Sequence, residues 1–536
     1  MKINTTLSAL LFTLLTGGLF PASAGDKPNI VLILADDMGP GEASYAGSII
    51  PTPAIDRLAI EGANFTDGHT SSAVCTPTRY GILTGRYNWR SRLKKSVIFN
   101  TTSPALMDPD RVNLPAFLRS EGYHTGMVGK WHLGVDWVLF DHKGEKYKKL
   151  LEEKRKEASR PKEKFFNSWM IDYTKPFKNG PVDVGFDSAF FVLASLDMPP
   201  YLYLEGNKAT ELPTTIKGWQ HNEYNDHIRY GAASEGFEAS EALETLAAKS
   251  REYIKEQAEN TEKPFFLYLA LTSPHTPVTP GKKFKGRYSQ FSHYADFIAE
   301  TDWVVEQVLE ELKESNVDEN TLVIFTADNG FAAYIPLPNM MKAGYAPSGP
   351  YRGAKTALYE GGHRVPFLMR WPKGIQPGLK INQTVCTTDF YATFADIIGK
   401  KSSISVNAAE DSFSFLPALK GSSEPVRPFT IHHAGNGDFA IRQGDWKLLL
   451  TKKTGTGAFP RKTRTTAQKV QLYNLKDDRA ETKNLENAHP ERIQSMVETF
   501  NQALRRGRTT PGPELKNDGW PIIDKNLMTT FPQLKE

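Results

Sequence analysis

Asn29-Ile-Val-Leu-Ile-Leu-Ala35 is an apolar run that stops abruptly at Asp36-Asp37. Its apolar residues do not alternate with polar ones, so the run predicts a parallel strand covered on both faces rather than one with a wet face. The same shape returns at Thr321-Leu-Val-Ile-Phe-Thr-Ala-Asp328-Asn329-Gly330 and, less sharply, at Pro264-Phe-Phe-Leu-Tyr-Leu-Ala-Leu271 ahead of Ser273-Pro274-His275. Between these two, Phe297, Ile298, Val304, Val305, Val308 and Leu312 recur at roughly helical spacing across residues 294–312. Strand, helix and strand alternate, which predicts an α/β fold with a large, mostly parallel sheet sandwiched by helices. Ligands of such sheets sit beyond the carboxyl ends of the strands. Asp36, Asp37, Asp328 and Asn329 fall there, although each pair taken singly reads equally well as a turn or helix cap.

Past residue 425 the pattern changes to short strands separated by turns, at 429–432, 439–442, 446–450 and 470–473, followed by a helix over 490–505. A small antiparallel sheet with a helix against it is the simplest account. The chain therefore divides into a leader at 1–24, a large α/β domain at 25–425 and an α+β subdomain at 426–536. The 140–166 tract, dense in Lys and Glu from Lys146 to Arg155, predicts a solvated helical insertion. Residues 336–350, rich in Pro, Gly and Met, predict a loop placed to cover the strand ends.

Residues 1–24 carry one charge, Lys2, then an apolar run from Leu10 to Phe20 and Ala22-Ser23-Ala24. This is the pattern of a secretory signal peptide cut after Ala24. Thr13, Thr16, Gly17 and Gly18 interrupt the run, and a membrane span needs about 20 apolar residues. The expected location is the periplasm or the exterior, with no membrane anchor. Lys and Arg total 65 against 61 acids, a formal charge of +4 that gives no reason to expect a nucleic-acid or membrane-surface partner. Only two cysteines occur, Cys75 and Cys386, too few for a disulfide scaffold or a Cys-rich zinc module. In an oxidising compartment they are the default candidates for one disulfide.

Cys75-Thr76-Pro77-Thr78-Arg79, followed by Gly85-Arg86, is the most informative segment. A cysteine attacks as its thiolate, and a cation such as Arg79 favours that form. A thiol protease would also need a His and an orienting Asn or Asp, which this segment does not supply. The segment resembles the C-x-P-x-R signature of the type I, formylglycine-dependent sulfatases of the alkaline phosphatase superfamily. The rest of that family's pattern appears in order between Asn29 and Leu485.

The resemblance implies an alkaline-phosphatase-like fold and a sulfuric ester hydrolase whose Cys75 is oxidised to formylglycine by a formylglycine-generating or anaerobic maturating enzyme. It also implies a calcium site at Asp36, Asp37, Cys75, Asp328 and Asn329. Oxygen donors without a required His or thiolate suit Ca²⁺, with Mg²⁺ the less favoured ion, and suit Zn²⁺ poorly. Lys130 and His132 follow the predicted strand 125–128, where residues two apart face one side. His275 lies in Ser-Pro-His-Thr-Pro, stiffened by Pro274 and Pro277, and Lys355 precedes Glu360-Gly361-Gly362. Each matches an active-site Lys or His of the family, although any one alone is more readily a satisfied core or surface residue. Thr78 departs from the usual Ser or Ala at its position.

A sulfate ester is an anion that repels nucleophiles, so the metal, Arg79, Lys130 and Lys355 would hold it. By analogy with the family, a hydroxyl of the hydrated aldehyde at Cys75 attacks sulfur with Asp328 as base. His275, helped by Lys355, protonates the leaving alcohol, and His132 takes the proton that regenerates the aldehyde. A sulfated carbohydrate, a galactan or glycosaminoglycan fragment, is the expected substrate. The competing expectations are a phosphonate or phosphate monoesterase of the same superfamily and a non-catalytic, secreted glycan-binding protein. Residues 196–201, Arg352, His363 and His433 are weaker pocket candidates, each more readily structural.

Overall fold

The computed structural model describes residues 27–141, 144–157, 167–219, 229–260, 262–452, 455 and 468–536. Residues 1–24, where a leader is expected, and residues 158–166 of the Lys/Glu tract lie outside the described residues.

Ten strands form the main sheet: β1 (Asn29–Ala35), β2 (Ala63–Phe65), β3 (His124–Lys130), β4 (Ser188–Val192), β5 (Leu204–Glu205), β6 (Lys208–Ala209), β7 (Phe265–Ala270), β8 (Thr321–Ala327), β9 (Phe367–Arg370) and β10 (Leu379–Ile381). Their spatial order is β10-β2-β9-β8-β1-β7-β3-β4-β5-β6. The five central strands, β8 to β4, run parallel, while β9 and β5 turn the sheet antiparallel on either side. The register pairs Ala35 with Ala327 and Leu34 with Ala270. The carboxyl ends of β1, β7 and β8 are therefore level, and the residues just beyond each of them converge on one place.

The unbroken apolar run of β1 is explained by its two neighbours. Ile30, Leu32 and Leu34 join a core with α2 (Cys75–Thr84), α3 (Leu114–Ser120) and α7 (Phe390–Ile397); Val31, Ile33 and Ala35 join a core with α1 (Pro53–Ile60), α5 (Ala242–Ala258) and α6 (His293–Glu314). Helix α4 (Glu145–Glu157) fills the predicted insertion, between α3 and α5 in the chain. Each side chain fully removed from water contributes roughly 1.5–3 kcal/mol. Two-faced burial, with alternate residues going to opposite layers, is what the sequence pattern encodes.

The second sheet holds β11 (Thr430–His433), β12 (Phe439–Gln443), β13 (Trp446–Leu450) and β14 (Val470–Asn474), all antiparallel in sequential order. Ile493, Val497, Phe500 and Leu504 of α8 (Pro490–Arg505) pack on it with Tyr87 and Trp89 from the main domain. The 336–350 loop contains a short helix, Pro338–Lys342, and covers the turn after β1 as expected: Gly41 N donates to Pro347 O at 2.9 Å and the Tyr345 hydroxyl to Glu42 at 2.6 Å. Among the described residues, no helix is long and apolar enough to cross a membrane. Cys75 and Cys386 are both buried and free, so the default disulfide is not formed.

Candidate active site

Cys75 is the first residue of α2, a helix whose ten residues are all buried and which stops at Gly85 in the left-handed region, φ 62°. Its Sγ lies 3.6 Å from Asp36 Oδ1 and 3.8 Å from Asp37 Oδ1. Burial, and then the Asp328 carboxylate, push the Cys75 thiol well above its usual range. The Arg79 guanidinium pairs with Asp328: Nε and Nη2 reach Asp328 Oδ2 at 2.9 and 2.8 Å. Nη1 donates to Lys130 O at 3.0 Å. An unmodified Cys75 is thus a poor nucleophile.

The acids after β1 and β8 meet as the register requires. Asp37 adopts φ 68°, a left-handed conformation uncommon for a non-glycine residue, and its N–H donates to Asp328 Oδ1 at 3.1 Å. Asn329 Nδ2 donates to Asp37 Oδ1 at 2.7 Å, and Lys355 Nζ lies 2.7 Å from both Asp37 oxygens. Lys130 Nζ pairs with Asp36 Oδ2 at 2.6 Å. Burial alone would raise the Asp36 carboxyl, but Lys130, His275 and Arg79 outweigh it and hold it below the ordinary range. Burial likewise opposes the charge on Lys355, and Asp37 then Cys75 override it, keeping the ammonium charged. Three carboxylates face three cations, Arg79, Lys130 and Lys355, and cancel.

Both histidines arrive, by routes the sequence did not reveal. Residue alternation does not carry His132 beside Lys130; the chain leaves β3 in a left-handed turn at His132, φ 56°. Its Nε2 bonds to Ile98 O at 2.9 Å, its Nδ1 is buried without a partner, and burial followed by Lys130 and Arg79 hold the ring neutral. Thr76 Oγ1, beside Cys75, donates to His132 O at 3.0 Å. Gly129, φ 114°, is needed just upstream, since a Cβ there would lie 1.9 Å from Ala270 O. His275 bonds through Nδ1 to Thr276 O at 2.6 Å, which turns Nε2 toward Asp37 Oδ2, 3.5 Å away. A proton on Nδ1 leaves Nε2 as the working nitrogen.

Asp36, Asp37, Cys75 and His275 offer ligand atoms within 4.8 Å of one another, and Asn329 Oδ1 is a buried amide oxygen with no hydrogen-bond partner. The oxygens of Asp36, Asp37, Asp328 and Asn329 make a hard donor set that fits Ca²⁺ or Mg²⁺. A second buried group, His69, His363 and His432, is no such site. The His363 and His432 rings stack 3.8 Å apart at 11°, so their lone pairs lie in near-parallel planes and cannot converge on one ion. Glu360 and Asp67 beside them are met by Arg364, Arg442 and Lys447, which tie the second sheet to the main domain. Of the weaker pocket candidates, His363 and His433 are fully buried, and Arg352 donates to Glu481 O at 2.8 Å. Asp197 pairs with Arg229 at 2.7 Å in the loop leaving β4. Tyr334, which no sequence signal marked, joins the site: its hydroxyl is 3.4 Å from Asp37 Oδ2.

Fold and site define a hydrolase of the alkaline-phosphatase-like class, with a two-sided α/β sheet and a charged centre off its carboxyl edge. The sulfatase family model matches residues 28–400, and a model of the N-sulphoglucosamine sulphohydrolase C-terminal region matches 353–509. The chain belongs to the sulfatase family and is a sulfuric ester hydrolase. It is 29% identical over 517 residues to N-acetylgalactosamine-6-O-sulfatase of Bacteroides thetaiotaomicron, covering 90% of this chain and 94% of that protein. N-acetylgalactosamine-6-sulfatase of Canis lupus familiaris is 30% identical over 446 residues, covering 82% and 74%. A B. thetaiotaomicron structure determined in work on glycosaminoglycan metabolism superposes with a TM-score of 0.74 at 26% identity, covering 89% of this chain and 99% of that one.

Proposed function

We propose that the protein is an exported sulfatase that removes a 6-sulfate from a galactosamine-type sugar, using formylglycine formed from Cys75 and a bound Ca²⁺. The sugar is supported by the names of the relatives that match most of the chain's length, and export by the leader pattern at 1–24. The observation that carries the chemistry is the placement of Cys75 at the start of α2, against Asp36 and Asp37 and ringed by Arg79, Lys130, Lys355, His132 and His275.

Asp36, Asp37, Asp328 and Asn329 would hold the ion, with Cys75 beside it. Once present, the ion supplies positive charge against the sulfate oxygens, and the hydrated aldehyde supplies the hydroxyl that a buried thiol cannot. The residues' own charges cancel, three against three, so a divalent ion leaves the centre at +2, suited to an anionic ester. Arg79, Lys130 and Lys355 then orient the sulfate. His132, with Nε2 committed to Ile98 O, has only Nδ1 with which to accept a proton. His275 delivers one to the leaving alcohol through Nε2. Both oxygens of Asp328, the base implied by the resemblance, are occupied by Arg79 and the Asp37 N–H, while Asp36 Oδ1 lies 3.6 Å from Cys75 Sγ.

The test is mass spectrometry of the Cys75 peptide from protein made with a maturating enzyme, alongside sulfate release from N-acetylgalactosamine 6-sulfate. Replacement of the thiol by an aldehyde or its hydrate, with release of sulfate, is expected. A fully matured enzyme that spares the sulfate ester refutes the proposal.

A further inference from the structure

Tyr334 enters the site from the segment after the Asp328-Asn329-Gly330 turn. Its hydroxyl lies 3.3 Å from Thr276 Oγ1 and 3.4 Å from Asp37 Oδ2, and Lys355 Nζ is 5.9 Å from its ring centre. Under the proposed roles this is the leaving-group side: Thr276 adjoins His275, and Lys355 assists it. The ring is half-buried, and Asp197 is close enough to act on the phenol electrostatically.

The phenol is not what holds Asp37. Lys355 and Asn329 grip that carboxylate at 2.7 Å, whereas 3.4 Å is the long, weak end of hydrogen bonding. A phenol keeps its proton at neutral pH. Its proton, given weakly to Asp37 in this structure, lies on the same side of the site as Thr276 and His275.

We propose that Tyr334 contacts the substrate, donating a hydrogen bond to the bridging oxygen of an alkyl sulfate. This rests on the function proposed above. As the bond from sulfur to that oxygen breaks, its electron pair stays on the oxygen. The proton that neutralises the oxygen comes from His275, while Tyr334 keeps its own. A fixed donor helps most when the leaving group carries charge badly. A sugar alkoxide does; 4-nitrophenolate spreads the charge over its ring. Tyr334 therefore favours sugar sulfates over aryl sulfates.

Tyr334→Phe removes only the hydroxyl and keeps the ring. Turnover and KM are measured on matured, Ca²⁺-saturated enzyme with N-acetylgalactosamine 6-sulfate and with 4-nitrophenyl sulfate. Loss of one hydrogen bond to a charged oxygen predicts a fall in kcat of about 10- to 100-fold on the sugar ester and less than about 3-fold on the aryl ester. Equal losses on both esters overturn the proposal and assign the phenol to the support of Asp37; unchanged turnover on both also overturns it. Wild-type enzyme that releases sulfate from neither ester overturns the functional reading, and with it this proposal.

Discussion

Lys447→Met isolates the electrostatic latch between the two sheets. Lys447 Nζ lies 2.9 Å from Glu360 Oε1, 2.9 Å from Glu481 Oε1 and 3.0 Å from His363 Nε2, and the lysine is fully buried. With Asp67, Arg364 and Arg442 the group counts three acids and three cations. Burial already pushes the Glu481 carboxyl up to about 7, so above that pH removing Lys447 leaves one uncompensated charge out of water, which costs about 3–5 kcal/mol, a large part of the roughly 5–15 kcal/mol that holds a native protein together. The loss also reaches the active centre. Glu360 leads into Gly361-Gly362, and Gly330, next to Asn329, donates to Gly362 O at 3.0 Å. A lower metal affinity should accompany the lower stability. Guanidinium unfolding followed by tryptophan fluorescence and by circular dichroism measures the first, and Ca²⁺ titration the second. Adding Glu481→Gln restores neutrality among the remaining two acids and two cations and should recover at least half the stability. A single-variant cost below about 1 kcal/mol, or a double variant no better than the single, refutes this reasoning.

Cys75→Ala should abolish sulfate release in a turnover assay while leaving the unfolding midpoint nearly unchanged, because only one small side chain is lost. Chelating Ca²⁺ should lower stability by about 2.7 kcal/mol relative to protein held at 100 times the dissociation constant, read as a fall in the thermal midpoint. Glu300, whose carboxyl is pushed up to about 8 by burial, binds a proton in the folded state that the unfolded chain releases near its ordinary pKa of 4.5. Its contribution to stability therefore falls as pH rises from about 4.5 to 8, so Glu300→Gln should gain on wild type steadily across that window; a pH-independent difference in urea midpoints would contradict this. Gly129→Ala, at φ 114° with a new Cβ 1.9 Å from Ala270 O, should cost at least about 2 kcal/mol in denaturant unfolding and reduce turnover by shifting Lys130.

The central strands are legible because two-faced burial leaves a mark in the sequence: seven residues from Asn29 to Ala35 with no alternation, ended by acids. The outer strands are not, since β2, β5, β6 and β10 have two or three residues each, too few to show a period. In the site, residue types and order were readable, but pairings were not. Nothing local to Arg79 says that its guanidinium ends on Asp328, 249 positions away. His132 reaches the centre through a left-handed turn that no side-chain pattern announces. Tyr334 is one of 20 tyrosines and only the folded chain singles it out. The cluster of His69, His363 and His432 was likewise hidden, because His432 reaches the other two only through the docking of the second sheet.

The most direct test is a comparison of kcat/KM for N-acetylgalactosamine 6-sulfate and the matching 6-phosphate with matured, Ca²⁺-loaded enzyme. A clear preference for the sulfate ester, lost in Cys75→Ala, is the predicted result. A large preference for the phosphate ester, or sulfate release that survives Cys75→Ala, contradicts the account.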